Sequence, residues 1–403
     1  MKKPELMSPA GNWVMLRVAV QNGADAIYLG VDKLNMRAKA KNFTISELPE
    51  VVSFCRENNV KVYLTVNSII LEDDQPHIDE VLTAAKSAGV DMIICWDIAV
   101  IAKCKQYSLP FCISTQASIS NSTSAKFYSE LGAERIVLAR ECTLAEIKKI
   151  RNETLTPKRI EIETFIHGAM CIAVSGRCFL SHDIFNKSAN QGDCMQPCRR
   201  EYEIYDKRLD KSLLIGNDYV MSAKDLCTIE FLDQLIEADI DSFKIEGRKR
   251  SPEYVAKVTS VYRRAIDSYF DGTLTPEKKT AFLEELSHVY NRGFSPGFYF
   301  GKPGAEGFSS VDGNSSVRKK EFVGKVLNYY KKSGVCYVAV LSGTLQVGDE
   351  LLIIGNTTGM AELKVSALIN EETNIQTACR GDKVTFPCPL LVREGDQVYK
   401  IVN

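Results

Sequence analysis

Through its first 250 residues the chain alternates short, nearly continuous apolar runs with longer stretches whose apolar residues recur every three or four positions. The runs fall at 5–8, 26–30, 62–66, 92–95, 111–114, 135–139, 160–166 and 242–245; the helical patterns between them include 78–88, 123–131 and 144–151. Apolar strands of this kind, alternating with amphipathic helices, predict a parallel sheet covered on both faces. Eight such units suit a (β/α)8 TIM-like barrel, an α/β fold, better than an open doubly wound sheet. The glycine fingerprint that a dinucleotide-binding sheet needs after its first strand is missing.

The seventh unit is interrupted. After residue 166 the next helical pattern comes at 228–238, a gap longer than any ordinary βα loop. The gap predicts a cysteine-rich insertion over 167–216 that ends in a hairpin (201–206 and 212–215). Ser251-Pro252 then offers an N-cap and a first-turn proline, and Val255, Val258, Tyr262, Ala265 and Ile266 mark one buried helical face. The barrel is therefore assigned to 1–290. Residues 291–320, rich in Gly, Ser and Pro, read as a linker. The remainder, 321–403, shows short strands with Gly-Asp and Gly-Asn turns and predicts a small antiparallel β-barrel domain.

Composition changes little. With 45% hydrophobic and 25% charged residues the chain is ordinary for a soluble globular protein. No secretory signal or membrane-length apolar stretch is present, so a cytoplasmic location with no membrane partner is expected. In that compartment 13 cysteines are not a disulfide framework. A net charge of −1 neither indicates nor excludes nucleic acid, although 244–264 holds seven Lys/Arg against two Glu.

The candidate chemistry follows from the barrel, whose active groups lie at the C-terminal ends of its strands. Those positions hold Asn67, Gln116, Arg140, His167, Glu246 and Arg248, with Lys244 inside the last strand. Cations and amides on one rim suit a small anion, above all a carboxylate gripped through two hydrogen bonds. Four cysteines in the insertion stand apart: Cys171, Cys178, Cys194 and Cys198, with six, fifteen and three residues between neighbours. Four thiolates suit zinc or a [4Fe–4S] cluster, and spacing alone leaves both open. The common hydrolase constellations are absent. His167 is the one histidine placed beside the insertion, and Glu163 and Glu246 are the carboxylates positioned to act as a base.

The run ETFIHGAMC at 163–171, followed by GRCFLS at 176–181, resembles the signature of the collagenase-like peptidase family U32. LMSPAG near the start, STQ at 114–116, LARE at 138–141, KIEGR at 244–248 and NRGF at 291–294 also match family landmarks, so the resemblance spans the chain. It implies several activities. The family was named for peptidase action, yet it includes proteins that form 5-hydroxyuridine at the tRNA wobble position, hydroxylate an rRNA cytidine or hydroxylate quinone precursors. In those branches the cysteines matching Cys171, Cys178, Cys194 and Cys198 hold a [4Fe–4S] cluster, and prephenate is implicated as a co-substrate in RNA hydroxylation. The C-terminal domain, similar to the β-barrels of translation factors, favours the tRNA-hydroxylating branch. The resemblance thus implies an RNA-modifying hydroxylase acting on a tRNA anticodon loop, as a homo-oligomer or beside a family paralogue. Prephenate would be held by Arg140, Lys244 and Arg248, with His167 and Arg177 near the cluster, and the basic 244–264 segment would grip RNA. The alternatives are a metal-dependent peptidase using Glu163 or Glu246 as base, and a zinc-bearing RNA-binding accessory protein.

Overall fold

Each apolar run becomes a strand: β1 (Glu5–Pro9), β2 (Ala26–Leu29), β3 (Lys61–Val66), β4 (Met92–Cys95), β5 (Phe111–Ile113), β6 (Arg135–Val137), β7 (Glu161–Gly168) and β8 (Ser242–Ile245). The computed structural model describes residues 2–37, 41–155, 159–200, 202–215, 221–309 and 313–402. Residues 201 and 216 of the expected hairpin and insertion, and 310–312 of the expected linker, lie outside them. The eight strands pair in parallel in sequence order, and the barrel closes where β8 lies between β7 and β1. Six helices connect the first seven strands: α1 (Trp13–Gln21), α2 (Leu48–Glu57), α3 (Gln75–Ala88), α4 (Ile98–Tyr107), α5 (Ser122–Glu130) and α6 (Leu144–Glu153). Their starts are locally encoded. Asn12 accepts from the Met15 amide at 3.0 Å, Asp97 accepts from Ala99 at 2.9 Å, and Thr143 with Glu146 forms a capping box.

One irregularity matters later. The β7–β8 register runs Ser242↔Glu163, Phe243↔Thr164 and Lys244↔Phe165, then slips to Ile245↔His167. The extra residue is a bulge, and it reverses which face the following side chain takes.

The insertion leaves after β7 and returns through Asp225–Cys227, a short strand antiparallel to the end of β7. The expected helix at 228–238 is shorter than the pattern suggested, with a 3-10 turn (Ile229–Phe231) before α7 (Leu232–Glu237). After β8 come α8 (Pro252–Phe270), buried on the predicted face, and α9 (Pro276–Ser287).

Residues 291–309 are not a free linker. Phe294–Ser295 pairs with Asp225–Leu226, the Phe294 ring lies 5.5 Å from His167, and buried Tyr299 donates to the Phe165 carbonyl at 2.7 Å. Two aromatic residues in a Gly/Pro-rich stretch thus fasten it to the barrel. The C-terminal part is antiparallel throughout. Eight strands form one sheet, from the edge strand Gly359–Lys364 to the edge strand Thr373–Ile375, around a core that includes Val338, Leu351, Phe386 and Val398. Those edges do not pair with each other among the described residues, and a separate antiparallel pair, Thr344–Gln346 with Thr377–Cys379, belongs to the same domain. It docks on the (β/α)8 barrel where Gln21 donates to the Thr358 carbonyl (3.3 Å) and Lys320 meets Glu253 (2.8 Å). At Gly359, φ +74°, a Cβ would come within 2.7 Å of the Gln21 side chain, so that contact requires glycine. No described helix is long and apolar enough to cross a membrane.

Candidate active site at the barrel mouth

The C-terminal ends of β1–β8 surround a polar cavity lined by Asn67, Gln116, Arg140, Lys244, Glu246 and Arg248, together with Tyr28, Arg37 and Phe165. Strand pleating explains the selection: Lys244 and Phe165 sit opposite each other in register, and both face the interior. Four cations and one carboxylate line this space. Lys244 donates to Glu163 at 2.8 Å, and its ammonium lies 4.5 Å from the centre of the Tyr28 ring. Arg248 donates to Thr65 (2.8 Å) and Asn35 (3.1 Å), and burial pulls its guanidinium down to about 10. The Arg140 guanidinium stacks 4.1 Å over Phe165, and its Nε is buried without a hydrogen-bond partner among the described residues. On the polar side Asn67 donates to Ser114 (3.1 Å) and Gln116 (3.3 Å). This set suits a small anion with an apolar body: guanidinium and ammonium for the charge, two aromatic walls, and fixed amides for orientation.

Above this space the insertion forms a second cavity of about 460 Å³, lined by Cys171, Cys178, Cys194 and Cys198. The two spaces share Met36, Arg37, Cys171, Ser175, Gly176 and Glu246. Gly176, φ +75°, lets the cysteine loop lie against Gln116, where a Cβ would be 2.9 Å from its Cγ. Eight of the other nine cysteines are buried in the two cores, and Cys379 is exposed in the C-terminal part. The four that share the cavity suit a metal centre in donor chemistry. Burial pushes the Cys198 thiol up, and the neighbouring Cys171, Cys194 and Cys178 add to that effect against Arg199. Arg37, Arg199, Lys249, Arg250 and Arg292 line the same cavity against Glu246, a positive wall that offsets the charge of assembled thiolates. Among the described residues no three His, Cys, Asp or Glu side chains are spaced to hold a single metal ion.

Three expected site residues are elsewhere. His167 is buried, its Nδ1 3.3 Å from the Tyr262 hydroxyl, and its ring packs among Tyr254, Tyr262 and Phe294. The bulge turns it away from the barrel interior toward α8. Burial pushes its pKa down to about 3, aided by Arg250 and opposed by Glu246, so it is a neutral structural histidine. Glu163 is wholly buried below the cavity floor, between Lys244 at 2.8 Å and Arg135 at 3.3 Å. Its oxygens hold cations and do not reach the cavity. Arg177 is exposed on the outer surface of the loop and lines neither space. Glu246 does reach the site, as a fixed counter-ion. Burial pulls its pKa up, but Arg37 (3.1 Å), Arg250 and Arg140 outweigh burial and hold it below the ordinary carboxylate value.

The basic segment at 244–264 divides in two. Lys244, Arg248, Lys249 and Arg250 line the cavities, whereas Lys257, Arg263 and Arg264 on α8 hold carboxylates of Glu285, Asp25 and Asp267. The segment as a whole is therefore not an open RNA-binding face. Arg37 was missed from the sequence because it lies in the loop after β2 and not at a strand end; the alternating basic run that begins there was the available signal.

Known proteins resemble this chain closely. A family model described as Peptidase family U32 matches residues 11–309. An uncharacterized protease of Methanocaldococcus jannaschii is 42% identical over 98% of this chain and 97% of its own. A collagenase of Porphyromonas gingivalis is 39% identical over 98% of this chain and 97% of its own. A tRNA hydroxylation protein P1 of Bacillus subtilis is 40% identical over 81% of this chain and 78% of its own.

Proposed function

This chain belongs to peptidase family U32, and we propose that it is an RNA-modifying hydroxylase that forms 5-hydroxyuridine at the tRNA wobble position. In this reading prephenate is the co-substrate and a [4Fe–4S] cluster is held by Cys171, Cys178, Cys194 and Cys198. The observation that carries the proposal is the excess of cations around a cavity joined to the cysteine space. A dicarboxylate meets Arg140 and Arg248 there, with Lys244 beside it, while Tyr28 and Phe165 border its apolar part. Asn67 and Gln116 orient the bound molecule. When bound, the cluster supplies redox or Lewis-acid iron chemistry next to that site. A uridine must leave its stack to reach the mouth, and an anticodon loop already presents its wobble base unpaired. The similarity to a protein named for tRNA hydroxylation supports RNA as the target.

The names of two relatives favour a second reading, peptide hydrolysis. Hydrolysis needs a base within reach of an activated water. Glu163 is engaged by two cations, His167 is enclosed in the core, and Glu246 is clamped by Arg37. Mass spectrometry of tRNA nucleosides from a deletion strain tests the two. The hydroxylase reading expects 5-hydroxyuridine to be lost, restored by the wild-type chain and not by Cys194→Ala. Unchanged 5-hydroxyuridine in the deletion strain overturns it, and peptide cleavage by purified protein that is lost in both Cys194→Ala and Glu246→Gln supports the peptidase.

A further inference from the structure

A third cavity, of about 550 Å³, lies between the barrel and the C-terminal sheet. Its walls carry Lys257 from α8, His288 just after α9, Arg318, and Lys319 and Lys320 at the start of the first C-terminal strand (Lys319–Tyr330), a set of four Lys/Arg against two carboxylates, Glu253 and Glu362. The two parts meet through the Gln21–Thr358 hydrogen bond, and the Lys320–Glu253 pair lies in the cleft wall. It adjoins the cysteine cavity, and Ser251 and Tyr290 line both. At that junction the Arg250 and Arg292 guanidiniums lie 4.0 and 5.3 Å from the Tyr290 ring centre. Of the cleft cations Lys257, Arg318 and Lys320 each meet one carboxylate at 2.8–3.7 Å in partly exposed pairs, and Lys319 is exposed and in no salt bridge among the described residues. Exposed pairs of this kind are worth little, so a phosphate can replace the carboxylate at small cost.

We propose that this cleft binds the sugar–phosphate backbone of the substrate RNA as a single strand that flanks the modified nucleotide and continues past Tyr290 to the barrel mouth. The proposal rests on the RNA-hydroxylase reading. The C-terminal sheet then supplies the second wall of a basic channel whose first wall is the barrel. Single-strand channels combine such cations with an aromatic or guanidinium surface on which bases stack, and the Tyr290–Arg250–Arg292 group provides one.

The test is fluorescence anisotropy of full-length protein with a labelled RNA stem–loop across a salt series. Two charge reversals in the cleft, Lys257→Glu with Lys319→Glu, are compared with two outside it, Lys331→Glu with Lys332→Glu, on an exposed turn. Losing two phosphate contacts lowers the magnitude of the log–log salt slope by about 1.4 and weakens binding about tenfold near 0.15 M salt. The cleft variant is expected to show both effects and the turn variant neither, with unfolding curves like the wild type. A cleft variant that binds like the wild type, or a turn variant weakened equally, overturns the cleft while leaving the hydroxylase reading intact. A wild-type protein that does not bind the RNA overturns both.

Discussion

His167 should govern acid stability and not catalysis. In the folded chain burial pushes its pKa down to about 3, whereas an unfolded histidine titrates near 6.5. Between those values the unfolded state binds one more proton than the folded one, so stability rises with pH and is lost as pH falls below about 6.5. One proton corresponds to about 1.4 kcal/mol per pH unit, or about 2 kcal/mol lost at pH 5 relative to pH 7.5. His167→Phe removes that proton site. The Tyr262 hydroxyl keeps its bonds to the Ile166 carbonyl (3.0 Å) and the Thr228 amide (3.0 Å), so the variant should lose no more than about 1.5 kcal/mol at pH 7.5. Trp13 and Trp96, the two tryptophans, both lie in the barrel, and their fluorescence during urea unfolding reports on that domain. Wild type minus variant, measured from pH 5 to pH 7.5, should change by about 2 kcal/mol, with the variant less sensitive to acid. Parallel pH dependences refute the reasoning, as does a stable variant with no activity.

Two further outcomes follow from the buried charges. Glu163→Gln leaves Lys244 and Arg135 without their shared buried carboxylate, and urea unfolding should show a loss of about 3–5 kcal/mol; a loss under about 1 kcal/mol would mean that the network is not structural. Arg140→Met should weaken binding of a dicarboxylate about tenfold to a hundredfold by calorimetry, the worth of a charged hydrogen bond, with a loss in unfolding of no more than about 2 kcal/mol, the worth of its stack on Phe165.

Barrel strands were legible because strands covered on both faces read as apolar runs, and rim residues such as Asn67, Arg140 and Arg248 followed from where those runs stop. Strand ends do not reveal which face a residue takes. Alternation places Glu163 and Phe165 inside the barrel and would place His167 there too; the bulge opposite Ile245 reverses it, and no local sequence feature announced that slip. Glu163 was on the correct face but one pleat too deep. Arg37 depends on the path of a long loop, and the fastening of 291–309 on where two aromatic rings find room. The four cysteines were legible as a group because they share one insertion, and they line one cavity.

The closure of the barrel sets a timing constraint on synthesis. β1 joins β8 as well as β2, and the Ser8 hydroxyl bonds Thr259, 251 residues further on. At about 5–20 residues per second the ribosome needs about 12–50 s to deliver that partner. Throughout that interval a first strand that is buried from Leu6 to Pro9 in the finished barrel presents an unpaired edge, the kind that recruits other chains. The nascent chain should therefore depend on a holdase for most of its synthesis, and the first and last units of the barrel should order last and together.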